Sequence, residues 1–395
     1  MTCSSDAVRF VFANEDATLK ILAKYTKIND TTFLREYHRK IILPRLSQNL
    51  APDRAAIEFI LDVERKRNPA VGKLKAESFF DATFIDEPRK EGTDGKQDEM
   101  KDDRPKLALN DGREIPQLGL GVWRIPNGSK CEGAVMAAFE AGYRHIDTAS
   151  FYGNEGSVGA AIRASGISRQ EIFVTTKLWN SDHASPERAL ETSLRRLKLD
   201  YVDLYLIHYP VPQRLQSWRA LEKLQQQGKA HSIGVSNFTI RQLTDLLAQT
   251  DTVPAVNQVE FHPYLYQREL LEFCVARGIV IEAYSPLTQG ERLNDRKLVA
   301  VAKKYPKASP SPGRRGTKLP FLPAAFRGDE TKSTAQILIR WAIQHNLVVI
   351  PKSANHSRIR ENAEVFDFAI TNEDMQTLNG FNENLRTCWD PTNAP

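Results

Sequence analysis

Residues 202–237 read VDLYLIHYPVPQRLQSWRALEKLQQQGKAHSIGVSN. An apolar, β-rich run (202–208) passes through an amphipathic stretch (216–228) into a second β-rich run (231–237). Two strands joined by a helix lie parallel, because the helix is the crossover that a parallel pair requires. The same unit repeats in both directions. Strand-like runs recur at 143–147, 172–177, 255–260, 279–285 and 347–353, and 116–123 supplies an eighth. Amphipathic segments at 130–142, 185–199, 239–250, 295–305 and 333–345 separate them. Eight strand–helix units in one stretch of chain define an α/β fold and suit a closed (β/α)8 TIM barrel, with an open doubly wound sheet as the alternative.

The barrel fills residues 105–395. Ahead of it, residues 1–86 carry helical periodicity and read as a mostly helical N-terminal appendage. Residues 87–104, EPRKEGTDGKQDEMKDDR, are almost wholly charged or Gly and read as a linker. Residues 306–330, PKASPSPGRRGTKLPFLPAAFRGDE, break the rhythm with Pro, Gly and Arg and read as an exposed insertion. Chain order places that insertion at the bottom of the barrel.

The 395 residues are 41% hydrophobic and 26% charged, with a formal net charge of +5. That balance is too mild to point to nucleic acid. No apolar run reaches the roughly 18 residues of a membrane span, and MTCSSDAVRFVFANEDATLK lacks the apolar core of a signal peptide. The four cysteines stand apart without a CxxC pair. Reduced thiols and a cytoplasmic setting follow. No histidine or cysteine spacing fits a metal, so no metal site is expected.

In a parallel barrel the ligand site forms at the C-terminal ends of the strands. The strands here end in Asp147, Lys177, His208, Ser236–Asn237, Tyr284–Ser285 and Lys352–Ser353, and Gln258 lies on the sixth. Within HIDTASFYGNE (145–155), Tyr152 follows Asp147 by five positions and Gly153 lets the chain turn behind it. A free tyrosine, with a pKa near 10, is a weak donor at neutral pH. A nearby Lys177 ammonium lowers that value, Asp147 holds the lysine, and Tyr152 protonates a carbonyl oxygen as hydride reaches its carbon. His208 orients the same oxygen. Lys352, Ser353 and Arg358 suit a 2′-phosphate, which favours NADPH; an ordinary solvated helix start fits them equally. Trp218 and Trp341 fall in helical periodicity and belong to the core. Trp123, Trp179 and Trp389 either wall a substrate pocket or simply pack.

The stretches HIDTASFYGNE, VDLYLIHYP, GVSNF, NQVEFHPYL and IPKSANHSRIREN resemble the signature segments of the aldo-keto reductase family, in the family's order. The short HYPVPQRLQSW loop, the TDTVPAVNQVEFHP stretch and the ending NLRTCWDPTNAP resemble its prokaryotic-type 2,5-diketo-D-gluconate reductase branch. The resemblance implies a barrel binding NADPH, with the tetrad Asp147, Tyr152, Lys177 and His208. It implies nicotinamide contacts from Ser236, Asn237, Gln258 and Tyr284. It further implies phosphate and adenosine contacts from Ser285, Leu287, Lys352, Ser353, Arg358, Glu361 and Asn362. Tyr209 stands where the family often has Trp or Phe, and joins Trp123, Trp179 and Trp389 as a substrate-side residue. The implied protein is a monomeric oxidoreductase acting on small carbonyl compounds, with a non-catalytic, nucleotide-binding regulator as the alternative. Residues 8–86 faintly resemble a C-terminal fragment of a nitrate/sulfonate/taurine-type transporter substrate-binding protein, and read as a fused fragment.

Overall fold

The computed structural model describes residues 104–307 and 331–394. The expectations for the appendage, for the linker up to residue 103, and for residues 308–330 lie outside the described residues.

A short antiparallel hairpin comes first, β1 (Lys106–Ala108) with β2 (Glu114–Pro116). Its turn carries Asp111–Gly112, with Gly112 at φ 83°, where only glycine is unstrained. The hairpin was missed in the sequence although Asp-Gly between apolar residues is a strong turn signal. It brings Leu109 and Ile115 against Phe173, Leu204, Val256 and Val348, which lie at or near the starts of barrel strands. The hairpin therefore plugs the bottom of the barrel.

Eight parallel strands follow in chain order: β3 (Leu120–Gly121), β4 (His145–Asp147), β5 (Phe173–Leu178), β6 (Val202–Ile207), β7 (Ala230–Ser236), β8 (Val256–Glu260), β9 (Val280–Tyr284) and β10 (Val348–Val349). Each pairs with the next. The ring closes through parallel bridges Leu118↔Val349 and Gly121↔Lys352, with the Gly119 N–H donating to Val349 O at 2.9 Å. The closed barrel is thus the fold, not the open sheet.

Helices alternate with the strands: α1 (Ser129–Glu140), α2 (Glu155–Ala164), α3 (Pro186–Leu197), α4 (Arg214–Gln226), α5 (Ile240–Leu247), α6 (Arg268–Val275), α7 (Arg296–Ala302) and α8 (Thr334–Gln344). After β10 come α9 (His356–Ala363) and α10 (Asn372–Asn379). Helices cover the outside of the barrel, so β5 is buried along its whole length. Trp218 on α4 and Trp341 on α8 are fully buried, as expected. The sequence reading passed over α2. Its EGSVGAAIRA carries two glycines, which weaken a helix pattern. Gly159 is there because a Cβ would sit 1.9 Å from Leu197 O at the end of α3.

Period-two alternation explains why apolar strands end in polar groups. On β5 and β6 the register sets Thr175 beside Leu204 and Lys177 beside Leu206. On β8 and β9, Val256 lies beside Val280 and Gln258 beside Glu282. The inward series therefore runs from apolar at the plugged bottom to ionisable at the top.

Candidate active site

β4 delivers Asp147, and a single 3-10 turn, Ser150–Tyr152, swings Tyr152 back over the strand end. Gly153 closes that turn in the left-handed region at φ 69°. The Asn-Glu pair behind it is scaffold. Asn154 donates to Val122 O and Ile125 O, which fixes the loop carrying Trp123, while Glu155 accepts from Thr176 Oγ1 at 2.7 Å.

Lys177, on β5, is fully buried. Its Nζ donates to Asp147 Oδ1 and Oδ2 at 2.8 and 2.7 Å, to Thr148 O at 2.8 Å, and lies 3.4 Å from Tyr152 Oη. Gln258 Nε2 adds a 2.7 Å bond to Asp147 Oδ2. The His208 ring meets Tyr152 edge-on at 5.8 Å, and its Nδ1 is buried without a partner. Burial, then the Lys177 charge, hold His208 well below the usual histidine range, so the ring is neutral.

The expected lowering of the Tyr152 pKa is corrected here. Burial first, then the negative charge of Asp147, raise it well above the ordinary value. The physical reason is that burial outweighs Lys177, whose charge is shared with both carboxylate oxygens of Asp147.

Of the nineteen site residues expected from the sequence, all but Lys177 and Trp179 line one cleft of about 1040 Å³. Lys177 lies behind Asp147 and Tyr152. Trp179 backs the wall: it stacks on Phe151 at 3.8 Å and meets His208 and Tyr209 edge-on. Tyr209 in turn meets Trp389 of the C-terminal tail edge-on at 4.9 Å. Ser236 Oγ donates to Gln258 O, Asn237 Nδ2 to His208 O, and Tyr284 Oη to Asn237 Oδ1. Asn237 and Ser285 take positive φ, 64° and 48°, which aims both strand ends into the cleft. Lys352, Ser353 and Arg358 also border an open cavity of about 700 Å³ with Lys130 and His356.

Three features escaped the sequence reading. Glu282 is a second buried carboxyl group beneath the tetrad. The tail is pinned by Glu260, whose carboxyl accepts from Thr387 N, Thr387 Oγ1 and Cys388 N at 2.8, 2.5 and 3.2 Å. The residues that follow the insertion also lie at the top of the barrel, where chain order had pointed to the bottom. Ser333, Thr334 and Ala335, just after it, line the cleft with Glu361 and Asn362. A helix that feeds a parallel strand begins at the C-terminal face, and α8 feeds β10. The seven residues of α7 span only about 10 Å and do not make the crossing. Among the described residues no group of three His, Cys, Asp or Glu is arranged to hold a metal, and no helix is long and apolar enough to cross a membrane.

Fold and cleft together define a (β/α)8-barrel protein with an ionisable site at its strand C-termini, the class in which barrel enzymes fall. The sequence profile of the Aldo/keto reductase family matches residues 117–383. Glyoxal reductase of Bacillus subtilis (strain 168) is 43% identical over 288 residues, 72% of this chain and 95% of that protein. Methylglyoxal reductase DkgA of Yersinia pestis is 43% identical over 293 residues, 73% and 96% of the two chains. A Bombyx mori aldo-keto reductase solved in complex with NADP is 38% identical, with a TM-score of 0.63 over 74% of this chain and 98% of that one. The chain belongs to the aldo/keto reductase family.

Proposed function

We propose that this chain is an NADPH-dependent reductase of small aldehydes and ketones. The observation that carries the reading is Tyr152 Oη, 3.4 Å from Lys177 Nζ, on a cleft that His208 also lines. At about 1040 Å³ the cleft is at the top of the range for small-ligand pockets, as a dinucleotide with a substrate requires. Ser236, Asn237 and Gln258 offer polar partners for a carboxamide, Tyr284 offers an aromatic face, and Lys352, Ser353 and Arg358 suit a 2′-phosphate. Ser285, Leu287, Glu361 and Asn362 complete the lining for the rest of the dinucleotide.

NADPH, when bound, supplies the hydride. Tyr152 gives its Oη proton to the substrate oxygen as negative charge builds there. An alkoxide is far more basic than a phenolate, so a fully protonated tyrosine serves and no lowered pKa is needed. Lys177, held by Asp147, balances the phenolate left behind. Neutral His208 cannot act as the acid; it hydrogen-bonds the substrate oxygen and aligns the carbonyl. Trp123, Trp179, Tyr209 and Trp389 shape the substrate end. We also read the protein as a cytoplasmic monomer, consistent with the unpaired thiols of Cys131, Cys274 and Cys388.

Two relatives are named as glyoxal and methylglyoxal reductases. Small 1,2-dicarbonyls therefore head the substrate panel. The 2,5-diketo-gluconate branch resemblance adds keto-sugars. The test is NADPH consumption with glyoxal, methylglyoxal, simple aldehydes and 2,5-diketo-gluconate. Turnover of at least one class is expected; NADPH binding with no turnover on any would overturn the reading.

A further inference from the structure

Beneath the tetrad lies a carboxyl group that the reaction does not use. Glu282 sits at the centre of β9, in register with Gln258 of β8, and is fully shut off from solvent. Gln258 spans from it to Asp147, with Nε2 donating to Asp147 Oδ2 at 2.7 Å and to Glu282 Oε2 at 3.0 Å. A primary amide has two N–H hydrogens and one carbonyl oxygen. Two carboxyl oxygens on one side require the NH2 there, and both hydrogens are then used. The carbonyl oxygen is what Gln258 has left for the cleft it lines. We propose that Glu282 is a positioning residue: with Asp147 it locks the Gln258 amide in the orientation that turns its carbonyl oxygen to the cleft, fixing an acceptor for the carboxamide N–H of a nicotinamide dinucleotide. The inference rests on reading the cleft as a dinucleotide site.

Charge balance sets the form Glu282 takes. The charged or titratable groups around it are His145 and Asp147 from β4, Lys177 from β5 and Tyr152 from the turn after β4. β8 faces it with neutral Gln258 and β10 with Val348. Lys177 is already bonded to both oxygens of Asp147. Burial, then the Lys177 charge, push His145 down to about 3, so it is neutral. A second carboxylate here would have no counter-charge, which a dry interior penalises heavily. Burial, followed by the charge of Asp147, accordingly pushes Glu282 up to about 8. The acid form also accounts for Oε1, which has no hydrogen-bond partner and lies 3.5 Å from His145 Nε2. A proton on Oε1 leaves Oε2 as the acceptor for Gln258.

The experiment compares the wild type with E282Q and E282L. Gln mimics the protonated acid, offering an acceptor to Gln258 and a donor toward His145. The first readout is unfolding without cofactor across pH 5 to 9. The folded value, about 8, lies above the ordinary 4.5. Between the two, the folded state keeps a proton that the unfolded chain releases, so stability falls as pH rises through that window and levels above it. The unfolding constant of the wild type relative to E282Q should therefore climb about tenfold per pH unit up to about pH 8. A ratio that stays flat overturns the acid form. This series needs only the isosteric E282Q; where E282L does not fold, E282M, unbranched and close to Glu in size, replaces it in the affinity readout. The second readout is NADPH affinity by fluorescence at pH 7. E282L should bind about tenfold more weakly, a loss typical of one freed polar contact, and E282Q should recover most of it. An E282L that binds like the wild type overturns the positioning role. A wild type that does not bind NADPH removes the dinucleotide reading itself, while the pH series still decides the protonation of Glu282.

Discussion

At the scale of single residues, the site works by burying charge in matched pairs. Asp147 and Lys177 neutralise each other, and His145, His208 and Glu282 are held uncharged around them. Dry surroundings make each of these states costly to change, and that gives stability a pH dependence. His145 binds a proton at about 6.5 when unfolded and only near 3 when folded. A depressed base favours protonation of the unfolded chain, so stability present above pH 6.5 is lost as pH falls toward 3. The slope from this one group is about 1.4 kcal/mol per pH unit. Replacing His145 with Asn should flatten the acid limb of an unfolding series by that amount per unit. An unchanged limb would mean that His145 is already charged in the fold. The four tetrad positions were legible in the sequence because Asp147, Lys177 and His208 close strand-like runs and Tyr152 stands in the loop that follows Asp147. Glu282 was not, because its partners come from two other strands and nothing local to IVIEAYS marks it. The direction of the Tyr152 shift was misread because spacing cannot show that Lys177 is already bonded on two oxygens of Asp147.

At the scale of elements, long parallel strands and amphipathic helices were legible because their periods are strong. The elements that escaped are short or glycine-bearing: the β1–β2 hairpin, α2, and the eight-residue α6 and α10. The tail escaped for another reason. Glu260 and Thr387 are distant in sequence, and only the closed barrel brings β8 to the tail. Phe151 and Trp389 are 55% and 46% exposed, so the aromatic wall depends on what holds the tail. Thr387→Val deletes the hydroxyl bond to Glu260 and keeps the backbone one. A hydrogen bond to a charged group is worth about 1.5–3 kcal/mol. The variant should therefore raise KM for the carbonyl substrate several-fold with kcat and NADPH affinity nearly unchanged. An equal loss in NADPH affinity would place the tail at the cofactor instead.

At the scale of the whole molecule, the barrel closes on itself without the residues that interrupt it. Pro306 pairs with Thr331 in an antiparallel bridge, and Lys332 N donates to Tyr305 O at 2.7 Å. The chain thus leaves and returns at one point. Replacing residues 308–330 with a short Gly-Ser link should fold and bind NADPH within about twofold of the full chain, since loop length alone costs only about 0.6 kcal/mol per doubling. Loss of binding would show that the segment contributes to the cleft beside Ser333–Ala335. Chain order misplaced this junction because it counts a helix as a full crossing, and α7 is too short to make one.

The proposed reaction turns on Tyr152 as its proton donor. The measurement that tests it most directly is methylglyoxal-dependent NADPH oxidation by the wild type and by Tyr152→Phe, with NADPH affinity measured in parallel. A fall in kcat of roughly 10²–10⁴-fold is expected, the usual worth of a positioned acid, with NADPH affinity kept. A Tyr152→Phe enzyme that turns over at the wild-type rate would contradict it.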